Sequence, residues 1–160
     1  MSDLRQTSAA CARNRGPILD VLRGAFAAST QVLEIGSGTG EHAAFFAGML
    51  PHLVWQPTDV AAHLPGIAAW RDFVALPNLR APRVLDVDAA AWPVNEADAV
   101  FTSNTLHIMS WDSVSHFFEG VGRVLLPGGV LAVLFGLGWA GCSSPTEAPT
   151  PVAPRSRESW

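Results

Sequence analysis

The chain has 160 residues and a mass of 17.0 kDa, enough for one domain with little left over for a second. Its residues are 49% hydrophobic and 15% charged, a composition that builds a core and is not that of a disordered chain. Ten basic against fourteen acidic residues give a net charge of −4, which argues against a protein that tracks nucleic-acid phosphates. All ten basic residues are arginine, so lysine Schiff-base chemistry and a P-loop lysine are excluded. The two cysteines, Cys11 and Cys142, are too far apart in sequence and too few for a disulfide framework or a metal site, and a cytoplasmic setting is expected. No secretory signal is legible at the polar N-terminus. The longest apolar stretch, Val130 to Cys142, is interrupted by three glycines and is too short to span a membrane.

In chain order, Arg13 to Pro17 opens a helix with Ile18, Val21, Leu22, Ala25 and Phe26 at helical spacing and the proline in its first turn. Gln31 to Ile35 reads as a strand, Gly36-Ser37-Gly38-Thr39-Gly40 as a turn, and Glu41 to Leu50 as a helix that ends at Pro51. A second strand over Leu53 to Gln56 precedes a helix over Pro65 to Ala75, with Ile67, Trp70 and Val74 on its core face. Arg83 to Val87 and Ala97 to Thr102 are the third and fourth strands. A helix over Trp111 to Leu126 follows, whose stripe places Phe117 and Phe118 in the core. Pro127-Gly128-Gly129 then turns the chain into a fifth strand, Val130 to Phe135.

Apolar strands alternating with helices predict an α/β fold with a doubly wound, mostly parallel sheet over residues 1–135. Thirteen of the last 25 residues are Gly, Pro, Ser or Thr, so residues 136–160 are expected to form a disordered tail.

The chemistry concentrates at the carboxyl ends of the strands. Three glycines in five positions, Gly36, Gly38 and Gly40, let a ligand lie against the backbone. A dinucleotide fingerprint needs its third glycine at position 41, where this chain has Glu41, and Glu34 and Glu41 would repel a pyrophosphate. A cationic or zwitterionic nucleoside suits the loop better. Asp59, 19 residues after Gly40, is placed to accept from both ribose hydroxyls, or else caps a helix. Asn104 is placed to position a substrate or part of the ligand. His107 reads as a general base or as a structural histidine between a strand end and a helix. No other histidines share metal-ligand spacing.

The run Glu34-x-Gly36-x-Gly38-x-Gly40 resembles the first motif of class I S-adenosylmethionine-dependent methyltransferases. That resemblance implies a Rossmann-like fold and S-adenosylmethionine as cofactor, bound by Glu34, Gly36, Ser37, Gly38, Gly40, Asp59, Asp86 and Asn104. Asp86 would meet the adenine amino group, with Asp88 as the other candidate, and His107 is the candidate catalytic residue. More closely, residues 8–19 (with Arg13-Asn14 and Pro17-Ile18-Leu19), 32–42 and 55–59, and Asn104 with His107-Ile108, resemble a poorly characterised family of methyltransferase-like proteins found in bacteria and animals. Members of that family continue beyond the fifth strand with a further helix and two strands, so the resemblance implies a fold truncated there. The fifth strand would then present an open apolar edge, which predicts a homodimer through it or poor solubility. The expected function is methyl transfer to a small molecule or a protein side chain, with no nucleic-acid or membrane partner. The competing expectation is a non-catalytic cofactor-binding or interaction protein. A nicotinamide-dependent oxidoreductase is disfavoured by Glu41.

Overall fold

The computed structural model describes residues 3–135. The expected tail and the expected truncation lie outside the described residues. Five strands, β1 (Gln31–Ile35), β2 (Val54–Asp59), β3 (Arg83–Val84), β4 (Ala97–Ser103) and β5 (Leu125–Leu134), form one sheet in the order β3-β2-β1-β4-β5. Every neighbouring pair is parallel. This is the doubly wound α/β architecture expected from the alternation of elements.

Helices α1 (Ala9–Ala25), α2 (Glu41–Met49), α3 (Leu64–Val74) and α4 (Trp111–Val124) divide between the two faces. Ile18, Leu19 and Leu22 of α1 and Ala43, Phe46 and Ala47 of α2 pack on the face that carries Val32, Trp55, Ala99 and Phe101. Phe117, Val121 and Val124 of α4 cover the other face, against Leu33, Ile35 and Val100. Because successive strand residues point to opposite faces, Val32 and Leu33 enter different cores, which is why β1 is apolar along its buried length except at Glu34. Asp98 clasps the start of the sheet, its carboxylate accepting from the Thr30 and Gln31 amides at 2.8 Å each.

Four elements depart by more than two residues from the expected boundaries. Helix α1 begins at Ala9, and Pro17 lies inside it; Ser8 supplies the N-cap, its hydroxyl accepting from the Cys11 amide. Val21 consequently turns half-exposed, and Ile18, Leu19, Leu22 and Phe26 form the buried stripe. Strand β2 runs through Pro57. The Thr58 carbonyl faces β1 and accepts from the Gly36 and Ser37 amides, so Pro57 turns its missing donor toward β3, whose ladder starts only at Thr58.

Strand β3 stops at Val84, although Leu85 and Val87 beyond it are still buried in the second core. Pro127-Gly128-Gly129 is not a turn between helix and strand: β5 already starts at Leu125, and these residues form an irregularity between the Ala97–Leu125 and Ala99–Val130 pairings. In the α4 stripe Phe117 is fully buried, whereas Phe118 is half-exposed and is not a core residue. Strand β5 lies at the sheet edge and has no strand on its outer side among the described residues.

Candidate functional site

The chain leaves β1 toward β2 and β3 on one side and returns to β4 and β5 on the other, so the winding reverses between β1 and β4. In open α/β sheets that switch point, at the carboxyl ends of the strands, is where a crevice forms. Gly36 to Gly40 occupies the end of β1, and Asn104 to Ile108 the end of β4.

All three loop glycines have positive φ, at 75°, 56° and 85° for Gly36, Gly38 and Gly40. Two of them are also hemmed in. A Cβ on Gly36 would come within 2.6 Å of the Thr105 hydroxyl, and one on Gly40 within 2.7 Å of the Ile67 backbone. A Cβ on Gly38 would meet nothing within 4 Å. Gly36 and Gly40 therefore let neighbouring elements approach, whereas Gly38 leaves bare backbone facing open space. The loop is tied to β2, with the Gly36 and Ser37 amides both donating to the Thr58 carbonyl at 3.0 Å.

Asp59, at the end of β2, is buried under this loop. One carboxylate oxygen accepts from the Gly38 amide at 2.7 Å; the other accepts from the Val60 amide at 2.7 Å and lies 2.8 Å from His63 Nδ1. Asp59 thus holds the loop down while sitting beside its open glycine.

Glu34 lies beneath the loop. Its side chain is buried, and a single oxygen accepts from both Ser37 Oγ and Trp55 Nε1 at 2.9 Å. Burial pushes its carboxyl up to about 7, opposed by those two hydrogen bonds and aided by the nearby Asp59. Glu34 therefore braces Ser37 against β2 from within.

A folded-state value near 7 against an ordinary 4.5 means that the folded chain holds this proton longer than the unfolded chain. The Glu34 contribution is full below about pH 4.5 and falls as pH rises to about 7, by up to about 3 kcal/mol. Glu34→Gln, whose amide oxygen can accept from the same two donors, is expected to remove this component. Urea unfolding at pH 5 and pH 7.5 checks it: the wild type should lose stability relative to the variant as pH rises, and parallel pH profiles would contradict the assignment.

Other contacts join the site to the N-terminal helix. Glu41, first residue of α2, accepts from the Ser8 amide at 2.8 Å, so its charge is committed to the start of α1. His42 Nε2 lies 2.9 Å from Asn14 Oδ1, and burial lowers the imidazole's proton affinity, with the Arg15 charge acting in the same direction and Glu41 against it. Cys11 is half-buried nearby, its thiol pushed up to about 11 by burial and by Glu41, which makes it an inert thiol at neutral pH. No site was expected at His42. The Arg13-Asn14 run was the available signal, but it did not say what Asn14 would meet.

The remaining expected residues are more dispersed. Asn104 adopts a positive φ of 58°, with its amide donating to the Leu134 carbonyl at 2.9 Å, which turns β4 into the Leu106–Ile108 3₁₀ turn. Thr105 in that segment is the residue packed on Gly36, so the two strand ends touch. His107 is exposed on the turn. Asp86 is also exposed, one oxygen accepting from the Asp88 amide at 3.0 Å. Asp88 itself points at α4, bonded to Ser113 and His116, and is engaged away from the loop. Among the described residues no cluster of three or more metal-ligating side chains occurs, and no helix is long and apolar enough to cross a membrane.

Residues 5–142 match the model of a family described as a protein of unknown function, DUF938. Among solved structures, the S-adenosylmethionine-dependent methyltransferase SibL in its apo form is similar at a TM-score of 0.69 and 20% identity, over 77% of this chain and 35% of SibL. Human N-acetylserotonin methyltransferase in complex with SAM is similar at a TM-score of 0.61 and 18% identity, over 77% of this chain and 34% of that one. SAM-bound CalS10, an amino pentose methyltransferase from Micromonospora echinaspora, is similar at a TM-score of 0.58 and 24% identity, over 81% and 52%. The chain thus spans about a third to a half of the length of these proteins. The likeness is one of fold.

Proposed function

The chain belongs to the DUF938 family of proteins of unknown function, and from that premise we propose that it is an S-adenosylmethionine-dependent methyltransferase. The observation that carries this reading is Gly38, the one loop glycine whose missing Cβ opens onto free space, set beside the buried carboxylate of Asp59 at the switch point of the sheet. The methyltransferases named above share the fold, which supports placing the same cofactor in this crevice.

The residues present fit such a ligand. Gly38 supplies a backbone approach that no side chain obstructs, with Gly36, Ser37 and Gly40 shaping the bend around it. Asp59 is the acceptor for ribose hydroxyls, with Asp86 further along the edge on the adenine side. Glu34 acts from below by holding Ser37, and Asn104 closes the opposite wall. A pyrophosphate is poorly served here, because the carboxylate of Asp59 lies directly beside the open glycine and the chain has no lysine.

When bound, S-adenosylmethionine supplies a methyl carbon already activated by a sulfonium, so transfer makes one bond from the acceptor to that carbon and breaks one S–C bond, whose electron pair stays on sulfur. The chain's own task is then alignment and exclusion of water, with His107 on the adjoining turn taking a proton from the acceptor. Thermal unfolding tests the cofactor assignment. Saturating S-adenosylhomocysteine is expected to raise the Tm by several degrees, on the order of the 2.7 kcal/mol that a hundredfold excess over Kd contributes, and NAD to leave it unmoved. A rise with NAD alone would overturn the assignment.

A further inference from the structure

We infer that the turn after β4 and the first residue of α4 form the acceptor platform, and that it takes a neutral, hydroxyl-bearing molecule with a flat apolar body. The inference rests on the methyltransferase reading above. Its starting point is two large apolar side chains left bare beside the crevice: Ile108 is 77% exposed and Trp111 81% exposed. Ile108 ends the 3₁₀ turn that carries His107, Trp111 opens α4 three residues on, and the same segment is pressed against the glycine loop through Thr105 on Gly36. A molecule resting on Ile108 and Trp111 therefore lies within reach both of an imidazole and of whatever occupies the space over the loop.

Charge selects the occupant. From Ala97 to Gly122 the chain has no lysine or arginine, and Asp112 follows directly on Trp111. A carboxylate or phosphate on the acceptor would find no lysine or arginine in this segment, its His116 being already bonded to Asp88, and would meet the like charge of Asp112, so an anionic body is disfavoured. An indole face and a branched aliphatic chain instead gain from covering flat apolar surface. A hydroxyl suits His107, since an oxygen nucleophile must lose its proton as it takes the methyl carbon, and the imidazole is the group on the turn able to receive it.

The probe is 1-naphthol, with 1-hydroxy-2-naphthoate as its anionic counterpart, titrated by NMR into the full chain with S-adenosylhomocysteine in excess. The expected result is a Kd for 1-naphthol about tenfold below that of the carboxylate, raised about fivefold or more by Trp111→Ala and by Ile108→Ala. Both side chains are bare in the structure, so these variants should fold and keep their S-adenosylhomocysteine affinity. Equal binding of the two naphthols, or wild-type naphthol affinity in both variants, would overturn the platform while leaving the cofactor reading intact. Light scattering provides the competing outcome: if Trp111→Ala merely converts a dimer into a monomer, the patch is an interface between copies and the inference fails. Failure of S-adenosylhomocysteine itself to bind would overturn both readings.

Discussion

Gly40→Ala is expected to destabilise the fold by about 2–5 kcal/mol, whereas Gly38→Ala should cost far less stability and abolish ligand binding instead. Both residues sit at positive φ, where a Cβ costs roughly 1–2 kcal/mol. At Gly40 the added atom would also stand 2.7 Å from the Ile67 Cα, a backbone atom that can move only if α3 moves, and such overpacking adds about 1–3 kcal/mol. At Gly38 there is nothing for the atom to strike in the protein, and it would enter the space assigned to the nucleoside. Urea unfolding and S-adenosylhomocysteine titration on the two variants separate the effects. Equal stability losses, or a Gly38→Ala variant with wild-type affinity, would show that the bend serves packing alone.

Asp59→Ala should weaken S-adenosylhomocysteine binding by about tenfold or more, since each hydrogen bond from a ribose hydroxyl to a carboxylate is worth roughly 1.5–3 kcal/mol. The structure adds a second expectation. Because the same carboxylate accepts from the Gly38 and Val60 amides, removing it frees the loop as well as deleting a ligand contact. Asp59→Asn keeps one acceptor oxygen for the loop and loses the charge. Its NH2 then faces one of those two backbone amides in place of an acceptor, so the variant is expected to fall between wild type and Asp59→Ala in affinity and to lose stability as well. Calorimetry with the two variants reads the first quantity, and urea unfolding the second; an Asp59→Ala chain binding as tightly as wild type would remove Asp59 from the site.

The sheet was legible because each strand is short, apolar and bounded by turn residues, and the glycine bend because its residue types admit few other readings. Boundaries failed where a tertiary partner decides them. Ser8 caps α1 five residues ahead of Arg13, where the helix was expected to open, and its own amide is held by Glu41, 33 positions away. Leu85 and Val87 look like strand because they are buried and apolar, yet the ladder ends at Val84 with one last bond from the Leu85 amide to the Asp59 carbonyl. Pro127-Gly128-Gly129 has the composition of a turn, and the pairing of its flanks with Ala97 and Ala99 makes it a break in register within a continuous strand.

Around the candidate site, the glycine bend is legible within one chain segment, whereas the pairs joining distant segments are not. Asn14 and His42 are 28 positions apart, and nothing in either neighbourhood signals the other. Glu34 shows the same limit in its electrostatics. Its sequence position suggests a charge facing the ligand, but burial against Trp55 and Ser37 turns it inward and raises its carboxyl to about 7.

Isothermal titration of the full chain with S-adenosylhomocysteine and, separately, with NAD bears most directly on the central claim that the crevice at the end of β1 receives a sulfonium nucleoside. One saturable site is expected for the homocysteine nucleoside, lost in Gly38→Ala, and no heat from the dinucleotide. Saturable binding of NAD with none of S-adenosylhomocysteine, or no binding of either, would contradict it.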